Sequence, residues 1–70
     1  MKISARNQIQ GTVKAINKGA VNAEVILELP GEQEIVSIVT LSALESLGIS
    51  VGGTAFALVK ASSVMLGVDE

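Results

Sequence analysis

Cysteine, histidine, tryptophan and tyrosine are all absent from this 70-residue chain, and Phe56 is its only aromatic residue. Without cysteine there are no disulfide staples and no thiol chemistry. Without histidine there is no imidazole general base, and nearly every transition-metal cation site loses its usual ligands. The shortage of aromatic faces removes the surfaces on which bases and other flat heterocycles stack. No apolar run approaches the roughly 20 residues needed to span a bilayer. The N-terminus enters alternating residues directly, without the continuous apolar core of a signal peptide. The expectation is a soluble, cytoplasmic, non-catalytic protein of one domain spanning residues 1–70.

Negative charge is missing from both ends. The net charge is −2, yet the acids fall at Glu24, Glu28, Glu32, Glu34, Glu45, Asp69 and Glu70. Residues 1–23 carry Lys2, Arg6, Lys14 and Lys18 with no carboxylate, and residues 46–68 carry only Lys60. Two segments stand out within these regions, Ser4-Ala5-Arg6-Asn7 and Lys60-Ala61-Ser62. Each joins one cation to hydroxyl and small side chains. Such a set suits a small, fully ionised oxyanion, which offers only acceptors. Ordinary exposed charge at strand edges is the alternative for either segment alone. Together they mark Ser4, Ala5, Arg6, Lys60, Ala61 and Ser62 as a candidate oxyanion site.

Hydrophobic residues make up 49% of the chain, nearly all of them Ala, Val, Ile and Leu. Ile3 to Ala15 alternates with period two, placing Ile3, Ala5, Ile9, Val13 and Ala15 on one face, which predicts a long half-buried strand. Gly11 near its middle is where a bend lets one strand serve two parts of a barrel. Asn17-Lys18-Gly19 reads as a turn. Val21 to Leu29 alternates again, Pro30-Gly31 signals a type II turn, and Glu34 to Thr40 forms a third strand. Leu41, Leu44 and Leu47 then recur at helical spacing, with Ser42 and Glu45 as a capping box and Gly48 as a stop. Gly52-Gly53 leads into a fourth strand, Thr54 to Lys60, and Ser63 to Val68 reads as a short fifth. The expected class is all-β, a five-stranded OB-like Greek-key barrel with one short helix between strands three and four. So small and aromatic-poor a core struggles to offset the entropy of folding alone, which predicts an obligate homo-oligomer.

Catalysis has little support, because Glu24 and Glu28 share what reads as a solvent face rather than an enclosed cleft. Nucleic acid, a common ligand of OB barrels, calls for stacking aromatics in a basic groove. Phe56, between Ala55 and Ala57, reads as core, and the net charge repels a polyanion. The turn Lys18-Gly19-Ala20-Val21 is a hairpin turn in its plainest form. Consecutive free N–H groups in such a turn also cradle anions.

Ser4-Ala5-Arg6-Asn7-Gln8, Gly11, Gly19-Ala20-Val21-Asn22-Ala23-Glu24-Val25, Ser42, Leu47-Gly48 and Lys60-Ala61-Ser62 resemble the Mop domain of the small molybdate-binding proteins called molbindins or molybdenum-pterin-binding proteins. The likeness runs from Ser4 to about Leu66. It implies a cytoplasmic protein that binds and stores molybdate or tungstate, assembled as a homohexamer (a trimer of dimers). It also implies oxyanion sites at subunit interfaces, one class using Ser4, Ala5, Arg6, Lys60, Ala61 and Ser62. A second class would use Lys18, Gly19, Ala20 and Val21. The bound species is an oxyanion, so no side chain is expected as a ligand to a metal cation. The family's older name implies a bound pterin cofactor, but stacking a flat heterocycle uses aromatic faces, and this chain offers only Phe56.

Overall fold

A computed structural model describes residues 1–69. Its backbone is four antiparallel strands and two short helices: β1 (Asn7–Lys18), β2 (Asn22–Leu29), β3 (Gln33–Thr40), α1 (Leu41–Leu47), β4 (Thr54–Val59) and a single 3-10 turn, Ala61–Ser63. The strands form one sheet in the order β3-β2-β1-β4, so the fourth strand returns beside the first. The all-β class with one short helix after the third strand matches the sequence expectation.

β1 serves two neighbours, as its length suggested. Asn7 to Thr12 pair with β4, and Thr12 to Lys18 pair with β2. The handover point is Gly11, which is buried. A Cβ built there would lie 3.0 Å from the Glu28 carbonyl oxygen and 3.2 Å from Leu27 Cβ. Only a residue without a side chain lets β1 and β2 approach so closely. The irregularity itself falls slightly later, as a register shift between Val13 and Ala15. That shift breaks the expected alternation. Val13 is buried and Lys14 exposed, but Ala15 and Ile16 are both half-buried.

The core is small. Val13, Ala23, Val25 and Leu27 from β1 and β2 close on Leu44 from α1, with Ile16, Val39, Leu41, Ile49, Ala55 and Ala57 packed around them. The helix is held over this cluster by its ends. Thr40 is the N-cap, its hydroxyl accepting from the Ala43 N–H at 3.0 Å, and Gly48 ends the helix in the left-handed region at φ 66°. Ser42 and Glu45 therefore do not form the capping box read from the sequence. The helix starts directly off β3, which places Ser42 inside its first turn. Pro30-Gly31 turns as expected, with Gly31 at φ 83°, and Glu32 also takes a positive φ of 62°.

Other expectations are corrected. The first strand begins at Asn7 rather than Ile3, because β4 ends at Val59 and leaves nothing for residues 3–6 to pair with. It also continues through Lys18, which moves the following turn to Gly19–Val21 and leaves Val21 69% exposed. Phe56 is not core: it is 49% exposed on the face opposite Ala55 and Ala57. No fifth strand forms over Ser63 to Val68. A strand persists only by pairing with another edge, and here Met65, Leu66 and Val68 stand 93%, 94% and 89% exposed.

An open apolar hollow of about 380 Å³ lies where the inner faces of β3 and β4 approach without pairing, lined by Val25, Leu27, Ile35, Val39, Ala55 and Ala57 among others. No helix among the described residues is long and apolar enough to cross a membrane.

The close approach at Gly11 yields a stability test. Gly11→Ala should destabilise the fold by about 1–3 kcal/mol, because the new methyl must displace backbone or packed side chains. Ser46→Ala, at an exposed position of α1, should change the fold's stability by less than about 0.5 kcal/mol. Urea titration of both variants checks this, and equal midpoints would show that the β1–β2 contact does not require glycine.

Candidate functional site

The β1–β4 ladder builds the candidate site. Its last register pair is Asn7 facing Val59, so the residues just before Asn7 and just after Val59 leave the sheet side by side. Ser4, Ala5, Arg6, Lys60, Ala61 and Ser62 line one open hollow of about 540 Å³. The two segments that the sequence singled out therefore meet within a single chain, although Asn7 and Val59 are 52 positions apart.

Local bonds hold each segment in place. Beyond β4, the Ser63 N–H donates to the Lys60 carbonyl at 2.8 Å and the Val64 N–H to the Ala61 carbonyl at 3.3 Å, curling the chain into one tight turn. Ahead of β1, the Gln8 side-chain amide donates to the Ala5 carbonyl at 2.8 Å. Across the ladder, the Asn7 side-chain amide donates to the Val59 carbonyl at 3.1 Å in a partly buried contact. Sequence reasoning did not assign roles to Asn7 and Gln8. Amide side chains at a strand start, where branched residues are usual, were the available signal.

The electrostatics favour an anion. Lys14 and Glu34 form the only ion pair among the described residues. The Glu34 carboxylate accepts a hydrogen bond from the Lys14 ammonium and, with its charge, holds that ammonium above the ordinary lysine range. Lys14 is thus committed, whereas Arg6 and Lys60 have no carboxylate partner among the described residues. Glu24 accepts from the Asn17 amide at 2.9 Å, so it belongs to a surface pair and not to a carboxylate dyad. No cluster of His, Cys, Asp and Glu suited to a metal ion occurs among the described residues. Two cations, two hydroxyls and no carboxylate can bind a species made only of acceptors, and they offer no base to move a proton.

The second predicted group lies elsewhere. Lys18 closes β1 at the end opposite Arg6, roughly 40 Å away along an extended strand, comparable to the 39 Å longest dimension of the molecule. Gly19 does not adopt a positive φ. Its N–H donates to the Asn22 carbonyl at 2.8 Å, and the Val21 carbonyl accepts from the Leu41 N–H at 2.9 Å. Of the turn's amides, that of Gly19 is engaged within the chain. Those of Ala20 and Val21 make no backbone hydrogen bond among the described residues. Lys18 also shares a hollow of about 810 Å³ with Glu45, Leu44, Ile49 and Ser50. The acid-free surroundings read from the sequence do not hold there.

Comparison with known proteins identifies the family. A family model described as the TOBE domain matches residues 3–66. A probable molybdenum-pterin-binding protein of Haemophilus influenzae is 48% identical over 69 residues, covering 99% of this chain and 100% of that protein. Among solved structures, apo MopII from Clostridium pasteurianum is similar at a TM-score of 0.89 and 45% identity, over 96% of this chain and 100% of the other. The cytoplasmic molybdate-binding protein ModG, with molybdate bound, is similar at a TM-score of 0.92 and 54% identity, over 99% of this chain and 49% of ModG. Fold and full-length likeness converge: the chain belongs to the TOBE domain family, among the Mop molybdate-binding proteins.

Proposed function

We propose that this protein, a single Mop domain over residues 1–70, binds and stores molybdate in the cytoplasm, at interfaces between subunits of a homo-oligomer. One observation carries the proposal: Arg6 and Lys60, both without carboxylate partners among the described residues, share a hollow with the hydroxyls of Ser4 and Ser62. Ala5 and Ala61 contribute small side chains to the same lining, leaving room for a large tetrahedral dianion. Tungstate, close in size and equal in charge, is bound as well. Sulfate is smaller and fits loosely. Singly protonated phosphate brings an O–H that a donor-only site leaves unpaired.

Assembly follows from the openness of the hollow and of the chain. Of the six lining residues only Ala5 is even half-buried, and charge pairs facing water contribute little. A second subunit over the hollow excludes water and strengthens every donor in it. The chain exposes 5544 Å², whereas a compact monomer of 7.2 kDa exposes roughly 4,100 Å². Much of the excess is apolar, at Ile38, Phe56, Leu58 and the Val64–Val68 segment. In the proposed hexamer, a trimer of dimers, this surface is buried, and a fifth strand pairs with the open edges of β3 and β4 to complete an OB-like Greek-key barrel. A second oxyanion class forms where the turns Lys18-Gly19-Ala20-Val21 of several subunits converge and present the Ala20 and Val21 amides. A bound pterin does not fit: neither hollow contains an aromatic residue. The role is binding rather than catalytic.

Three outcomes are expected. Arg6→Ala and Lys60→Ala should each weaken molybdate binding by about 10- to 150-fold in titration calorimetry, the cost of a lost charge-assisted hydrogen bond. Unchanged affinity in both, with assembly intact, would remove these residues from the site. In competition, tungstate should displace bound molybdate at comparable concentration while sulfate does not, and displacement by equimolar sulfate would reduce the hollow to a generic anion patch. Sedimentation equilibrium at micromolar concentration should give a mass near six chains, and a folded monomer would refute the assembly.

A further inference from the structure

The donors around the hollow account for attraction, but the backbone there also carries acceptors. The carbonyl of Ala5 belongs to a lining residue, and that of Val59 immediately precedes Lys60. A carbonyl oxygen turned toward a bound dianion repels it, and each has lone pairs that need a donor. Both oxygens are occupied from within the chain, Val59 by the Asn7 amide at 3.1 Å and Ala5 by the Gln8 amide at 2.8 Å.

We infer that Asn7 and Gln8 are positioning residues that tie down the two acceptors beside the oxyanion hollow and fix the divergence of Arg6 and Lys60. Neither side chain lines the hollow. Asn7 is the stronger of the two because its contact is partly buried and spans the ladder, whereas that of Gln8 is local and exposed. Asn7 and Val59 form the last register pair before the chains separate. Ladder ends fray readily. An extra bond at that point holds Arg6 and Lys60 at one spacing before any ligand arrives, so less ordering is left for binding to supply. A donor amide is required here. Aspartate has almost the same shape as Asn7 but turns a carboxylate on the Val59 carbonyl and adds negative charge near the site.

This inference rests on the oxyanion reading of the Arg6 and Lys60 hollow, and a single calorimetric series with sodium molybdate separates the two. Asn7→Ala should weaken binding by about 3- to 10-fold, the range for a lost neutral hydrogen bond. Asn7→Asp should weaken it further, and the two variants should stand in that order. In an Arg6→Ala background the Asn7→Ala penalty should shrink by more than half, because a residue acting through Arg6 loses its effect once Arg6 is gone. An equal penalty in both backgrounds overturns the positioning role. Wild-type affinity in both Asn7 variants, alongside weakened Arg6→Ala and Lys60→Ala, overturns this inference and leaves the site standing. Unchanged affinity in both Arg6→Ala and Lys60→Ala, with assembly intact, overturns the site itself. Melting midpoint and oligomer mass are recorded for each protein. If the Asn7 variants fail to assemble, the exposed Gln8→Glu carries the test: affinity down by about 3-fold or more supports the inference, and unchanged affinity overturns it.

Discussion

The antiparallel pairing of β1 with β4 is the constraint on which the candidate site depends. Asn7 faces Val59 in the final register pair, and that single alignment brings the acid-free N-terminal segment to the acid-free segment after β4. Because strand register is set in whole residues, a slip by one would turn every side chain of β4 to the other face. Ala55 and Ala57 would then leave the core side and Phe56 would enter it. The register therefore sets both which side of β4 packs on the core and where Arg6 stands relative to Lys60.

The core that the chain forms by itself is small, and it leaves much apolar surface exposed. Among the described residues the buried side chains are all aliphatic, namely Val13, Ala23, Val25, Leu27 and Leu44. Apolar residues on the outer faces of β3 and β4, and along the segment after Ser63, remain in contact with water. The edges of β3 and β4 carry no neighbour among the described residues, and unpaired edges invite pairing with another chain. In the proposed assembly, folding energy and ligand affinity have one source. Contacts that bury the apolar excess also close the hollow over its anion and lower the dielectric around its donors.

Charge follows a similar division of labour. Lys14 is neutralised on the sheet surface by Glu34 and Glu24 is tied to Asn17, so the middle of the sheet presents compensated polar groups. Arg6 and Lys60, at the end of the β1–β4 ladder, are left uncompensated among the described residues. An overall negative protein can therefore hold a dianion, because the local field at the hollow is set by these two cations. Distant carboxylates are screened within about 8–10 Å at moderate salt.

Much of this was legible in the chain itself. Alternation located three strands and the last part of the sheet, helical spacing of Leu41, Leu44 and Leu47 located α1, and Gly48 marked its end, all from local preferences of a few neighbouring residues. The distribution of carboxylates picked out the Ser4 to Arg6 and Lys60 to Ser62 segments, and those same residues line the hollow. Where pairing or packing decides, the sequence fell short. The register shift at Lys14, the exposure of Phe56 and the missing fifth strand all depend on which edge lies next to which, a long-range matter that alternation does not encode. The N-cap passed from Ser42 to Thr40 because β3 runs straight into the helix. The Gly19 amide was expected to be free and is taken by the Asn22 carbonyl. What the sequence determined by itself was the chemistry of the site, because side-chain type and charge are fixed residue by residue. That the two halves meet within one chain, and that Asn7 reaches across to the Val59 carbonyl, only the tertiary structure decided, because those contacts exist only once β1 and β4 have found their register.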